Sequence, residues 1–463
     1  MKRIFNIHVF FCAVFTAFTA ILVTLALSKV PFLEPVSDSV MDWDFTDLAH
    51  NEGSKNQEEI DDRIVLVNIS EADVLDREGI ALLLKEISRH QPKVIGLDVF
   101  FSNPQDYLKD SLLTQVISEI KDIVMVARYF PGKDSIEMSH PMFSSNMKQG
   151  LANLEYDRQG TIRKIINRGA YQEDTFRSFA SEVVKYYDSE AASEFNERNL
   201  EWEWINYQGN TSSFLTLDYF DTSFSVVKDK IVLVGYLGKE IEIGKSIREG
   251  IPHKYYTPLK TLWYNKQLPD MYGVVIHANA IKMILDRKYV HSRWFIDEIS
   301  NMVLIVMAVV LFYFLLQKFT RRYNILARAL SLTIIGLVIG MSVFFFKTFH
   351  LKIELSFTVL VLLFLPDCLE FYATYFTPAY DRFSNTIRSW LKYSVIVILF
   401  SPYILSLVFG YELIANADDP TFRIIFFLIS FLWLLAYSTG VVVYGVKKHF
   451  EKEGRGFENK NIN

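Results

Sequence analysis

The segment Ile64–Ile69, with the sequence IVLVNI, decides the fold of the long central part of the chain. A short apolar run rich in β-branched residues is typical of a strand that is buried on both faces of a parallel sheet. A second run, Val94–Phe101 (VIGLDVFF), begins 30 residues later, and Gly79–Arg89 between them carries leucines and isoleucines at helical spacing. Strand, helix and strand in this order predict a right-handed parallel unit.

The pattern continues towards residue 288 and predicts an α/β domain with a mixed sheet. The turn at Asp157–Gly160 indicates a β-hairpin. The further predicted elements are a helix at Asp110–Ile120, a strand at Ile123–Phe130, hairpin strands at Leu151–Tyr156 and Thr161–Ala170, a helix at Phe176–Tyr187, strands at Glu203–Tyr207 and Ile231–Leu237, and a helix at Val274–Lys288.

The composition separates this domain from the rest of the chain. Of 463 residues, 51% are apolar and 15% are aromatic, but Ser28–Phe295 has an ordinary charged composition whereas the remainder consists of apolar blocks. This division excludes a soluble cytosolic enzyme, a disordered chain and a collagen-like fibre, and the net charge of −5 argues against a nucleic-acid binder. The two cysteines, Cys12 and Cys368, lie in apolar segments, so we expect no disulfide in the charged domain. A cysteine-free outer domain fits a bacterial periplasm.

Six apolar segments are candidates for membrane spans. The first follows Lys2 and Arg3 and has no good cleavage site, so we expect an uncleaved anchor. The fourth is interrupted by Pro366, Asp367 and Glu370. The six segments are Val9–Leu27, Ile299–Leu316, Ala329–Phe346, Leu355–Phe376, Tyr393–Tyr411 and Ile424–Val446.

The basic residues predict the orientation, because loops on the cytoplasmic side carry an excess of Lys and Arg. If all six segments span, the basic clusters at 318–328, 382–392 and 447–455 share one side with Lys2 and Arg3. The loops on the other side hold few basic residues, namely Lys347, Lys352 and Arg423. We therefore expect a bacterial inner-membrane protein with both termini cytoplasmic and the large domain outside.

The expected organisation follows from these spans. It comprises an anchor at 1–27, an extracytoplasmic domain at 28–295, a three-span region at 296–376, a cytoplasmic joint at 377–392, two additional spans at 393–446 and a short cytoplasmic tail at 447–463. The fold class is thus an α/β mixed-sheet extracytoplasmic domain joined to an all-α transmembrane bundle.

Seven short segments follow one another in the outer domain. They are DDRIVLVNISEAD (Asp61–Asp73), PKVIGLDVFFS (Pro92–Ser102), GLANLEYDRQGTIRK (Gly150–Lys164), WINYQGN (Trp204–Asn210), KDKIVLVGYLG (Lys228–Gly238), YTP (Tyr256–Pro258) and YGVVIHANAIKMIL (Tyr272–Leu285). Taken in this order, they resemble the type-2 CHASE domain, a sensory domain associated with bacterial cyclases and kinases. The resemblance implies extracytoplasmic sensing. The family's usual layout continues into a cytoplasmic output domain after the fourth span, and here we expect two further spans instead, so no kinase or cyclase activity is implied.

Polar residues near the ends of the predicted strands are candidates for ligand binding. Asn68 and Glu71 follow the first strand, Asp98 the second, and Gly235 a later one. In open parallel sheets, ligands bind beyond the carboxyl ends of the strands. The alternative is structural: Asp98 caps a helix and Gly235 permits a tight turn.

The helix with the sequence IHANAI adds His277 and Asn279 as candidates. His277 aligns with Ile281 and Ile284 on the core face, so a buried hydrogen-bonded histidine is the alternative to a ligand-binding one. With Asp98, it would form a pH-sensitive contact. Asp157, Arg158 and Arg163 surround the predicted turn and are interpreted as turn residues.

Asp367 and Glu370 share one helix face in the fourth apolar segment and are candidates for coupling across the membrane. The alternative is that the helix breaks at Pro366 and leaves both acids at the cytoplasmic interface.

We expect a membrane sensory protein whose outer domain binds a ligand or protein partner and signals to a separate cytoplasmic protein. A transport or channel component and a structural or assembly protein of the envelope are the alternatives. No catalytic motif, cofactor site or metal site is legible in the sequence, and homo-oligomerisation stays open.

Overall fold

The computed structural model describes the residues 16, 45–55, 60–70, 76–130, 135–145, 147–157, 160–171, 174–219, 221, 223–238, 254–260, 269–318 and 323–371. These residues belong to two units. The α/β unit holds those of Ala26–Asn301 and Gly336–Ser356, and the helical unit holds those of Met1–Leu25, Met302–Ile335 and Phe357–Asn463.

The strands and helices of the described residues are numbered in chain order. The strands are β1 (Asp61–Asn68), β2 (Val94–Leu97), β3 (Ile123–Phe130), β4 (Ser135–Glu137), β5 (Lys148–Leu151), β6 (Leu154–Tyr156), β7 (Ile162–Ile166), β8 (Arg168–Tyr171), β9 (Asp174–Arg177), β10 (Trp202–Trp204), β11 (Phe214–Asp218), β12 (Ile231–Gly235), β13 (Lys254–Tyr255), β14 (Met271–Tyr272), β15 (His291–Ser292) and β16 (Leu351–Lys352). The helices are α1 (Phe45–Lys55), α2 (Arg77–Arg89), α3 (Tyr107–Glu119), α4 (Pro141–Ser144), α5 (Phe179–Tyr187), α6 (Ser189–Glu197), α7 (Gly273–Asp286), α8 (Trp294–Lys318), α9 (Tyr323–Phe349) and α10 (Ser356–Phe371).

The main sheet of the α/β unit is mixed, as the sequence predicts. Its strands follow the order β11-β1-β12-β2-β3, and all of these neighbours pair in parallel. The far edge of β3 pairs with β5 in parallel and, further along, with β4 in the antiparallel direction. The hairpin is also confirmed, because β6 and β7 pair antiparallel, and β10 extends them to a smaller sheet.

Helices pack on both faces of the main sheet, and its central strands are therefore buried on both sides. Along β1, Ile64 and Leu66 face one layer, where Phe179 of α5 and Ile281 of α7 pack. The alternate residues Val65 and Val67 face α2 and α3 on the other side. Side-chain caps from Asp76, Asp106 and Ser178 begin α2, α3 and α5, respectively.

Several element boundaries differ from the prediction, and hydrogen bonding explains three of these differences. The second strand ends at Leu97, not Phe101, since the chain then turns and the backbone N–H of Phe101 donates to Ser139 Oγ. Helix α5 starts at Phe179 because the preceding residues pair as β9 with β8. The strand predicted at Glu203–Tyr207 is Trp202–Trp204, paired with β7.

An ion-pair network fastens α7 to the beginning of β1. Lys282 Nζ lies 2.7 Å from Asp61 Oδ2, and Arg63 binds both Asp61 and Asp286. Burial acts to raise the pKa of Asp61, but the hydrogen bonds from Arg63 and Lys282 outweigh it and hold this pKa well below its usual range. The network thus fixes one end of α7 beneath the sheet.

Two helices are long and apolar enough to cross a membrane: Phe295–Leu316 within α8 and Ile325–Phe349 within α9. They coincide with the second and third predicted spans. Within the described residues, the fourth predicted span contributes the 16 residues of α10, fewer than this length test requires, and its residues 372–376 lie outside the described part. The segments 9–27, 393–411 and 424–446 lie outside the described residues, apart from the isolated Thr16.

Helix α10 continues through Pro366, so the expectation of a helix break at this residue is wrong. A proline removes the hydrogen bond to the carbonyl four residues earlier, which here belongs to Leu362. The hydroxyl of Ser331 on α9 donates to that carbonyl instead. The replacement bond explains how the helix tolerates the proline in apolar surroundings.

We expect Gly96→Ala to destabilise the protein by about 1–3 kcal/mol through overpacking. A Cβ at this position of β2 would lie 2.7 Å from Leu233 Cδ2 and 2.9 Å from Phe179 Cζ. Chemical denaturation of the detergent-solubilised protein, followed by tryptophan fluorescence, measures the change. Gly336→Ala in α9 is the control, since nothing lies within 4 Å of a Cβ there. Equal stability of Gly96→Ala and wild type would contradict the packing described.

Candidate functional site

The carboxyl ends of β1, β12 and β2 bring three of the predicted ligand-binding residues together. Asn68 and Gly235 are register partners at the ends of β1 and β12. The backbone N–H of Asp98, just beyond β2, donates to the carbonyl of Val234 at 2.9 Å. Glu71 lies outside the described residues.

The side chain of Asn68 fastens three loops to one another. Its Oδ1 accepts hydrogen bonds from the backbone N–H groups of Ser70 and Leu237, both at 3.0 Å. Its Nδ2 donates to Asp218 Oδ1 at 2.9 Å and to the Gly238 carbonyl at 3.3 Å. Both polar atoms of the amide are therefore occupied by protein groups, which fits a structural role at this edge.

Gly235 permits the close approach of α7 to the end of β12. A Cβ on Gly235 would lie 2.9 Å from Val274 Cβ and 3.3 Å from Asp98 Cβ. The carboxylate of Asp98 lies beside the first turn of α7, with Oδ2 3.8 Å from a Cβ built on Gly273. The helix dipole stabilises a negative charge at this end.

His277 is buried behind these residues. The edge of its ring meets Phe179, with 5.2 Å between the ring centroids. Burial lowers the pKa of His277, and the negative charge of Asp98 acts in the opposite direction. Nδ1 has no hydrogen-bond partner among the described residues. The imidazole is thus held neutral in the core at ordinary pH.

Asn279 has a different environment from the other candidates, although it lies only two residues beyond His277. Its Oδ1 accepts from the backbone N–H groups of Gln208 and Gly209, at 2.9 and 3.1 Å. Its Nδ2 donates to the carbonyls of Gly209 and Val275. Asn279 therefore binds the Gln208–Gly209 backbone to α7 and does not belong to the edge formed by Asn68, Asp98 and Gly235.

A second polar cluster lies where α1 meets β7. Arg163 of β7 makes a bidentate ion pair with Asp47 of α1, in which Nη2 lies 2.9 Å from Asp47 Oδ2. The Nε of Arg163 donates to Asp157 Oδ2 at 2.9 Å. Asp47 and Arg163 are buried, so each depends on the other to compensate for the loss of hydration.

Helix α1 also contacts the end of α9. His50 Nδ1 lies 3.1 Å from the carbonyl oxygen of Tyr207, and the His50 ring meets the Phe346 ring edge-on at 4.9 Å. Ala49, Val290 and Phe346 form a small buried cluster. The last turns of α9 are thereby packed into the α/β unit.

The segment that follows α9 is attached to the same place. β16 pairs in parallel with β15, and the N–H of His291 donates to the His350 carbonyl at 2.8 Å. Lys352 is buried, with Nζ 3.9 Å from the ring centroid of Trp204 and 2.6 Å from Glu354 Oε1. We call Asp47, His50, Arg163, Trp204, Phe346 and Lys352 the junction. All of these except Asp47 line a small cavity that has room for about one water molecule.

The family model described as the CHASE2 domain matches residues 16–315, which is more than half of the chain. The chain belongs to the CHASE2 domain family. The resemblance stated from the sequence is confirmed, and the match extends beyond the seven segments on both sides. CHASE2 domains are sensory domains of signalling proteins, extracytoplasmic in membrane sensors. Comparison with the curated proteins and with the solved structures returns no match.

The junction of this CHASE2 protein was missed at the sequence level. Arg163 was interpreted only as a turn residue, although an arginine inside the apolar strand IRKII was a signal of a buried ion pair. Its partner Asp47 lies 116 residues earlier in the chain. Lys352 was recognised only as part of a loop on the outer side.

In the helical unit, Asp367 has a partner. Its Oδ1 accepts from Arg328 Nη2 at 2.8 Å, so an ion pair links α10 to α9. Glu370 lies on the same helix and is exposed. The pair reduces the cost of placing either charge near lipid.

We expect His277→Gln to weaken the dependence of stability on pH in the acidic range. The unfolded histidine has a pKa near 6.5 and the folded one a lower value, so the unfolded chain binds the extra proton as the pH falls below about 6.5. Wild type therefore loses unfolding free energy towards low pH, by at most about 1.4 kcal/mol per pH unit from this group. Denaturation between pH 5 and 8 compares the two proteins. If their stabilities fall in parallel, the assignment of a buried neutral His277 is wrong.

Proposed function

We propose that this chain is a membrane-bound sensory protein whose extracytoplasmic CHASE2 domain binds a ligand or partner and signals through its spans to a cytoplasmic protein. Membership of a sensory family supports the general class. The junction supports the route, because it makes the ends of the membrane helices part of the α/β unit that would bind the ligand.

We further propose six spans in a bacterial inner membrane, with both termini cytoplasmic. The observation that supports the side assigned to the domain is the packing of Lys352 and β16 within the α/β unit, because the loop after α9 would then lie on the same side as the domain. The sequence that joins α8 to α9 contains Arg321 and Arg322 and follows Lys318, the last residue of α8. A basic loop opposite the domain is what the positive-inside rule requires.

The proposed mechanism uses two helices attached to the junction. α8 begins directly after β15, and α9 ends at Phe349, directly before β16. A ligand that favours one arrangement of the domain would displace β15 and Phe346. Because β15 leads into α8 and Phe346 belongs to α9, both helices would then shift along their axes. Such a ligand shifts the equilibrium only by its difference in affinity for the two states, typically about 1–3 kcal/mol.

We expect a disulfide between β15 and β16 to fix the signalling state. His291 and Leu351 are register partners, a suitable spacing for a cross-link, so the pair His291→Cys and Leu351→Cys is tested in a chain with Cys12→Ser and Cys368→Ala. Cells carrying the cross-linked protein should show a transcription profile that differs from cells carrying the cysteine-free chain. His291→Cys alone is the control.

Unchanged transcription and unchanged cytoplasmic partners in the cross-linked protein would contradict the proposal. Mass spectrometry of the gently solubilised, tagged chain identifies those partners. A co-purifying kinase, cyclase or transcription regulator is the expected result. Recovery of envelope-assembly proteins alone would favour the structural alternative.

A further inference from the structure

A polar groove runs between α5 and α6 on the outer side of the α/β unit. Its volume is about 750 Å³, within the range of about 300–1,000 Å³ that small-molecule sites occupy. Serine and asparagine side chains line it together with two cationic and two anionic residues: Arg177, Lys185, Glu182 and Glu197. The groove is therefore lined by equal numbers of cationic and anionic side chains.

Two of these charged side chains each have one buried polar atom without a hydrogen-bond partner among the described residues. Glu182 is nine-tenths buried, and among the described residues its Oε2 accepts no hydrogen bond. Nη1 of Arg177 is buried, and it donates no hydrogen bond to an acceptor among the described residues. Buried charges are costly unless they are paired, and the other buried carboxylate of this region, Glu203, does have a partner in Arg198. Opposite charges that line one groove, two of them with an unsatisfied buried atom, are the pattern that a ligand with a positive and a negative group would complete.

We propose that this groove binds a small zwitterion of the α-amino acid class. The ligand carboxylate would pair with Arg177 and Lys185, and its ammonium group with Glu182 and Glu197. A phosphate would be repelled by the two glutamates. A sugar or nucleobase would lack a stacking surface, because the described lining contains no aromatic ring. The inference rests on the proposed function, for which it names the class of ligand.

The groove is connected to the junction by the residue that follows α6. Asn199 lines the groove, and the adjacent Arg198 donates from Nη2 to the carbonyl of Val290 at 3.3 Å. Val290 packs against Phe346 in the junction. Occupation of the groove would therefore act on the segment that leads into β15 and α8.

Isothermal titration calorimetry of the full chain in detergent tests the proposal with each of the twenty proteinogenic L-amino acids, and with methylammonium and acetate as probes that carry one charge. We expect at least one amino acid to bind at least tenfold more tightly than either probe. Glu182→Gln and Arg177→Gln should each weaken that binding at least tenfold. Glu190→Gln, an exposed position of α6 outside the groove, should change it less than twofold.

Ser193→Tyr provides a second variant in case loss of a buried charge prevents folding. Ser193 is exposed and lines the groove, so a tyrosine there fills the space and should abolish binding without removing a charged group. If no amino acid binds wild type, or if every variant binds as wild type does, the proposal is overturned. Binding without any effect of the β15–β16 cross-link would instead contradict the signalling function and leave the groove as a binding site.

Discussion

Asp47 and Arg163 are buried together, and their bidentate ion pair offsets much of the cost of removing both charges from water. Their bidentate pair holds α1 against β7, and this position brings the His50 ring into contact with Phe346. In the same cluster, the ring of Trp204 packs against Lys352. The packing of the last turns of α9 within the α/β unit depends on this arrangement. Removal of Asp47 would leave the buried Arg163 with Asp157 but without its bidentate partner, a more severe change than the loss of an exposed salt bridge.

The layered fold was predictable because its central strands are unusually apolar. Ile64–Ile69 and Ile231–Gly235 are buried on both faces, and such segments have few alternatives to the middle of a parallel sheet. The strand β11 was missed because FLTLD lies at the edge and mixes buried with exposed residues. Helix α1 was missed because its sequence is polar and its buried face consists of groups that need partners from distant segments.

For the candidate site residues too, the local sequence predicts the position in the fold but not the contacts with distant segments. Parallel topology alone predicts that Asn68, Asp98 and Gly235 meet at one edge. Their contacts depend on residues far along the chain: Asn68 bonds to Asp218 and Gly238, and Asn279 bonds to the Gln208–Gly209 backbone. Spacing within a helix or strand does not reveal such partners. The structure therefore favours scaffolding for Asn68 and Asn279 and directs attention to the junction and the α5–α6 groove.

The central claim is that the CHASE2 domain responds as one unit with the parts of α8 and α9 that belong to the α/β unit. Hydrogen–deuterium exchange of the full chain in lipid nanodiscs, with Asp47→Asn compared with wild type, tests it most directly. We predict faster exchange both in α1 and in the segment 343–355, which is about 300 residues away in sequence but contacts α1 through Phe346. Faster exchange confined to α1 and β7, with 343–355 unchanged, would contradict the claim.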